Sequence, residues 1–130
     1  LTDVVNEFQA MDVRTSIFIN ANPEMVRIAS QIGTDRVELY TGPYAEAYSA
    51  DKEKAIAPFI EAATLAKNLG LGVNAGHDLN LENLSYLYRN IPWLKEVSIG
   101  HSLICDALYL GLKETIKAYK NCLKDPQEEI

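Results

Sequence analysis

Apolar positions along the chain alternate between two periods. Val4, Val5, Phe8 and Met11 recur at helical spacing, so residues 1–11 read as the end of a helix. Arg14-Thr-Ser-Ile-Phe-Ile-Asn20 is β-branched and aromatic and closes on a polar residue, as a buried strand does. Asn22 then caps a helix that begins with Pro23 at its first position, with Met25, Ile28, Ala29 and Ile32 inward and Gly33 at its end. A second strand, 36–41, sets Val37 and Leu39 against Glu38 and Tyr40. After a loop with helical tendency, Asp51 caps a helix over 52–69, which Pro58 should kink or divide and Gly70 should end. Its inward stripe is Ile56, Phe59, Ile60, Ala63 and Ala66. A third strand covers 71–75, a helix capped by Asn80 covers 81–88, and Asn90-Ile-Pro92 stops it. A fourth strand covers 96–99. Ser102 is expected to cap one last helix, with Leu103, Ile104, Ala107, Leu108, Leu112, Ile116 and Tyr119 inward. The tail from Asp125 to Ile130 is polar and should fray.

The order is thus one helix followed by four βα units. Regular alternation of this kind builds a parallel sheet, either an open doubly wound one or a (β/α)₈ barrel. Four units fill about half of a barrel of roughly 250 residues. No Gly-x-Gly-x-x-Gly follows the first strand, which weakens a dinucleotide-binding reading. The helical start at Leu1 fits a barrel cut between its halves, and a start without Met suggests a piece of a longer protein.

Composition changes this picture little. The 130 residues suffice for one domain with a core, and 48% of them are apolar. A net charge of −6 argues against a nucleic-acid partner. No apolar run is long enough for a membrane helix, and no signal peptide is visible at the start. Cys105 and Cys122, read onto one helix, would lie roughly 25 Å apart, beyond disulfide reach. They are expected to be reduced thiols, in keeping with a cytoplasmic location.

The chemistry concentrates where strands end. The chain has two histidines, and each directly follows a glycine at the end of a predicted strand. His77 follows Ala75-Gly76, where small residues let a ligand approach the backbone. Its imidazole can exchange protons near neutral pH, and Asp78 could orient it or cap the next helix. Gly100-His101-Ser102 joins a strand to a helix, whose free backbone N–H groups suit phosphate, with a plain capping turn at Ser102 as the alternative. Glu38 stands in an apolar strand. It is either a carboxylate paired with a neighbouring Arg or Lys, or a catalytic one. If these are the last four strands of a barrel, His77 follows strand 7 and His101 strand 8, where barrels often hold phosphate. A metal site of Glu38, His77 and His101 is disfavoured, since no close-spaced ligand pair such as His-x-x-x-His is present. Tyr40, Tyr44 and Tyr48 recur every four residues and read as packing, with Tyr40 or Tyr44 within reach of the site mouth.

Three blocks carry a family likeness: Val37-Glu-Leu-Tyr-Thr-Gly-Pro-Tyr-Ala45, Leu69-Gly-Leu-Gly-Val-Asn-Ala-Gly-His-Asp-Leu-Asn80, and Ile99-Gly-His-Ser-Leu-Ile104. Together with Ser16-Ile-Phe-Ile-Asn20 and Pro23-Glu24, they resemble the second half of the pyridoxine 5′-phosphate synthase family, in order and over nearly the whole chain. The resemblance implies a (β/α)₈ TIM barrel, of which residues 1–130 supply the C-terminal half of a single domain. It implies condensation of 1-deoxy-D-xylulose 5-phosphate with 3-amino-2-oxopropyl phosphate to pyridoxine 5′-phosphate, inorganic phosphate and water, without metal or organic cofactor. His77 resembles the family's proton donor and Glu38 its transition-state-stabilising carboxylate. Asp78, Gly100 and His101 resemble contacts to the aminoketone phosphate, with Asp78 acting through its backbone. The family is cytoplasmic and homo-oligomeric, an octamer by resemblance, with a neighbouring subunit contributing to each site. Its first half supplies another histidine and glutamate as bases, so residues 1–130 alone are expected to be inactive. The alternatives are another phosphate-binding barrel isomerase or aldolase, or a non-catalytic phosphate-binding half barrel. No strand end here offers the Schiff-base lysine of an aldolase.

Overall fold

A computed structural model describes residues 1–125, so all but the first residue of the expected tail lies outside the described residues. The elements follow the order α1 (Thr2–Ala10), β1 (Ser16–Ile19), α2 (Pro23–Ile32), β2 (Arg36–Tyr40), α3 (Gly42–Tyr48), α4 (Lys52–Asn68), β3 (Gly72–Gly76), α5 (Leu84–Asn90), β4 (Glu96–Ser98), α6 (His101–Leu110) and α7 (Leu112–Asn121). All four strands are parallel and pair in chain order, β1-β2-β3-β4.

Local chemistry sets the element ends. Asn22 Oδ1 accepts from the N–H groups of Glu24 and Met25 and starts α2, with Pro23 at the first turn. Asp51 Oδ1 accepts from Lys54 N–H and starts α4. Gly70, at φ +80°, takes the left-handed position just past α4, and Leu71 N–H bonds back to the Ala66 carbonyl at 2.9 Å.

Strand alternation divides the sheet into two unlike faces. Ile17, Ile19, Val37, Leu39, Val73 and Ala75 share one face by register. The core forms there, where Val37, Leu39, Val73 and Ala75 pack with Val26 and Ala29 of α2, Ile56, Phe59, Ala63 and Ala66 of α4, and Leu84 and Leu87 of α5. The other face is polar and aromatic: Phe18, Glu38, Asn74 and Glu96 lie in one row, and Tyr40, Gly76 and Ser98 in the next. Over it, Arg36 Nη1 donates to Glu96 Oε2 at 2.5 Å and to Asn74 Oδ1 at 3.2 Å, and Arg14 Nη2 donates to Glu96 Oε2 at 2.6 Å.

Several expectations need correction. Pro58 does not divide α4, which runs unbroken from Lys52 to Asn68. Pro58 is exposed, so the missing N–H opens no gap in the packed face. The inward face of α2 is Val26 and Ala29, while Met25 and Ile28 are exposed; packing against β1 and α4 selects the face. A turn over 81–83 precedes α5, with Asn80 Oδ1 accepting from the N–H groups of Glu82 and Asn83. The last helix is two. Gly111, at φ +80° and ψ 149°, ends α6 and starts α7, a backbone state open to a residue without Cβ. Ser102 therefore caps nothing: α6 starts at His101 with Gly100 before it and no side-chain cap. Cys105 lies on α6 and Cys122 just past α7, not on one helix, and both are free thiols. Of the stripe expected for that helix, Leu108 is 82% exposed and Ile104, Leu112 and Ile116 are also exposed, whereas Tyr119 is buried.

Candidate functional site

A cleft of about 680 Å³ opens at the carboxyl ends of the strands, on the polar side of the sheet. Its wall holds Glu38 from β2, His77 and Asp78 after β3, and Gly100 and His101 at the junction of β4 and α6. All five residues singled out in the sequence thus line one cleft, with Leu79, Ser98, Ile99 and Ser102 completing it.

Glu38 reaches the cleft because register aligns it with Phe18 on one side and Asn74 on the other. Its neighbour Gly76 lies two residues along β3 from Asn74, and a Cβ there would collide with Glu38 Oε1. The absence of that Cβ makes room for the carboxylate. Among the described residues Glu38 has no ion pair, because the nearby Arg36 is committed to Glu96 instead. The expectation of a strand carboxylate paired with an adjacent cation is therefore replaced by one free to meet a ligand.

His77 sits on a strained turn. Its φ is +91° and that of Asp78 is +58°, in the left-handed region that costs a residue with a Cβ about 1–3 kcal/mol. Its ring meets Tyr40 edge-on at 5.2 Å and lies 5.6 Å from Phe18. The imidazole is exposed to the cleft and held on one flank by aromatic contact. On the opposite wall, no side chain caps the first turn of α6, so backbone donors are left for an anion. His101 Nε2 lies 3.8 Å from Cys105 Sγ, one turn along the helix. Among the described residues no group of three His, Cys, Asp or Glu side chains is placed to hold a metal ion.

Sequence reasoning missed two polar residues behind the turn. Thr41 is fully buried, and its hydroxyl lies 2.7 Å from the Gly76 carbonyl and 2.6 Å from that of His77. Asn83 is almost fully buried; its Nδ2 donates to the Asp78 carbonyl at 3.2 Å and its Oδ1 accepts from Asn80 N–H. Tyr44, also buried, donates its hydroxyl to the Asn83 carbonyl at 2.5 Å. Burial, with Tyr48 and Tyr86 nearby, drives the Tyr44 phenol well above its ordinary pKa and keeps it a donor. The available signal was the run Asn80-Leu-Glu-Asn83, which has the spacing of a side-chain-capped turn.

An exposed imidazole, a carboxylate with no ion pair among the described residues and uncapped backbone N–H groups thus meet in one cleft of a parallel α/β fold. The chain belongs to the family described as Pyridoxal phosphate biosynthesis protein PdxJ, whose model matches residues 1–125. It is 63% identical over 123 residues to a pyridoxine 5′-phosphate synthase of Parabacteroides distasonis, covering 95% of this chain and 52% of that protein. It is 60% identical over 124 residues to the protein of that name in Bacteroides thetaiotaomicron and 48% identical over 124 residues to that in Christiangramia forsetii, with the same coverage of each chain. The chain thus spans about half the length of the curated relatives it matches. The match favours the synthase family over the isomerase or aldolase alternative. Among the described residues, no helix is long and apolar enough to cross a membrane.

Proposed function

We propose that this chain supplies the second half of a pyridoxine 5′-phosphate synthase barrel. The reaction joins 1-deoxy-D-xylulose 5-phosphate to 3-amino-2-oxopropyl phosphate and releases inorganic phosphate and water. The observation that carries the reading is the convergence of Glu38, His77, Asp78, Gly100 and His101 on one cleft at the carboxyl ends of three successive strands. In this reading His77 donates a proton in the ring-forming steps. Glu38 stabilises a transition state of the condensation. Gly100 and His101, with the backbone at Asp78, receive the aminoketone phosphate.

The sheet supports a barrel over a doubly wound fold. Its strands pair strictly in chain order, with α2, α4 and α5 packed in one core. The other face keeps a polar set of side chains suited to a barrel interior. The Arg14–Glu96 pair reaches from the start of β1 to β4, three strand spacings or roughly 14 Å in a flat sheet, a reach that curling shortens. Homo-oligomeric assembly, to an octamer, and a cytoplasmic location rest on family resemblance alone.

The test is a chimera in which this chain replaces the matching half of the Parabacteroides distasonis relative. Pyridoxine 5′-phosphate formation by the folded chimera is expected, and none by this chain alone. A folded chimera without turnover, beside an active relative, would reject the assignment.

A further inference from the structure

We infer that Thr41 is a positioning residue for His77, with Asn83 holding the far side of the same turn. Successive carbonyls of an extended strand point in opposite directions. One hydroxyl can meet the carbonyls of both Gly76 and His77 only if the chain turns between them, and φ +91° at His77 is that turn. Thr41 N–H also donates to the Gly76 carbonyl, at 2.9 Å. Asn83 Nδ2 holds the next carbonyl, that of Asp78, which is itself at positive φ. The Thr41 hydroxyl carries one proton; with the Gly76 carbonyl served by Thr41 N–H, that proton goes to the His77 carbonyl. Three consecutive carbonyls of a strained loop are thus held by two buried residues from separate segments, Thr41 just past β2 and Asn83 at the start of α5. Neither side chain lines the cleft. They act through the backbone, setting where the imidazole stands relative to Tyr40 and to the Glu38 wall. A strained turn relaxes when its fixing bonds are removed, and a shift near 1 Å in a catalytic group is enough for about a 10²-fold loss of rate.

The inference rests on the synthase reading for its kinetic consequence and on geometry alone for its structural one, so the two fail separately. Thr41→Val keeps shape and removes the hydroxyl; Thr41→Ser restores it. In the full-length protein, Thr41→Val is expected to lower kcat about 10–10²-fold while KM for both substrates stays within about twofold. The pH profile of kcat should shift and Thr41→Ser should recover most of the rate. A crystal structure of Thr41→Val should show His77 out of positive φ or its ring away from Tyr40. Asn83→Asp, which exchanges the Nδ2 donor for an acceptor, is the second variant should Thr41→Val not fold, with the same expectations for kcat and for the position of His77. Wild-type kcat with an unmoved His77 in the folded variant overturns the inference. So does a Thr41→Ser protein as slow as Thr41→Val. Absence of turnover in the unsubstituted protein rejects the synthase reading and leaves the crystal structure to decide the positioning.

Discussion

The Glu38 carboxylate occupies the space above Gly76 that a side chain at that position would fill. The two residues sit on adjacent parallel strands, on the polar face of the sheet, with Gly76 one pleat beyond the Asn74 that pairs with Glu38. Gly76 is not at positive φ, so its small size, not backbone freedom, is what the site uses. Gly76→Ala should fold with a stability loss of about 1–3 kcal/mol from overpacking. Displacement of the carboxylate should lower kcat about tenfold or more. Thermal melts and steady-state kinetics on the full-length protein check both; an Ala variant with unchanged kcat would show that Glu38 placement does not matter.

Removing the functional groups should separate chemistry from folding. Glu38 has no ion pair among the described residues, and the His77 ring is exposed to the cleft, so neither side chain carries much of the core. Glu38→Gln and His77→Gln should each cost about 10²–10⁴-fold in kcat, the usual range for a positioned acid–base group. Changes in unfolding free energy should stay within about 1 kcal/mol. Denaturant melts set against turnover decide it: a loss of rate that merely tracks loss of folded protein would remove both residues from the chemistry.

The strand ends were legible because three signals coincided there: an apolar run, then small residues, then a lone histidine. The buried face of β2 was also readable, since Val37 and Leu39 alternate with Glu38 and Tyr40. The helical C-terminus was not. Its apolar stripe looked like core, yet α6 buries no residue and Leu108 and Tyr109 are more than four-fifths exposed. Periodicity reports that a face is apolar and is silent about what covers it. Gly111 broke the helix inside an apolar stripe that read as continuous. Thr41 was hidden for another reason. Its role is to hold two carbonyls 35 and 36 residues away, and no local pattern encodes that partnership.

Acid stability should carry a signature from Asp35, in the loop before β2, and its partner Thr15, just before β1. The Asp35 carboxylate accepts from Thr15 N–H at 2.7 Å and from the Thr15 hydroxyl at 2.9 Å. The backbone bond foremost, then the hydroxyl, lowers its pKa from an ordinary value near 3.8. A carboxylate with a depressed folded value stabilises fully above its unfolded value, and that contribution fades as pH falls through the folded one. The loss therefore begins near pH 4 and continues downward. Asp35→Asn should flatten this part of the acid limb and leave the neutral plateau only slightly lower, as befits an exposed group. Urea melts between roughly pH 2 and 6 are the measurement; an acid limb identical in the two proteins would assign the effect to other carboxylates.

Tyr44 gives the opposite limb. Its buried hydroxyl is the donor to the Asn83 carbonyl, and burial raises its pKa far above the ordinary 10.0. The neutral phenol is favoured in the fold, so its contribution is complete below pH 10 and declines as the unfolded chain ionises above it. Tyr44→Phe leaves a buried carbonyl without its donor and should cost about 1–3 kcal/mol at neutral pH. The same variant should lose stability less steeply than the parent above pH 10. Because Asn83 holds Asp78, the damage should also travel to the cleft, with kcat falling while the strand core stays intact. Melts at pH 7 and pH 11 with kinetics at pH 7 test all three expectations. A Phe variant as stable and as fast as the parent would mean that the Asn83 carbonyl finds another donor, and that the support behind the His77–Asp78 turn ends at Asn83.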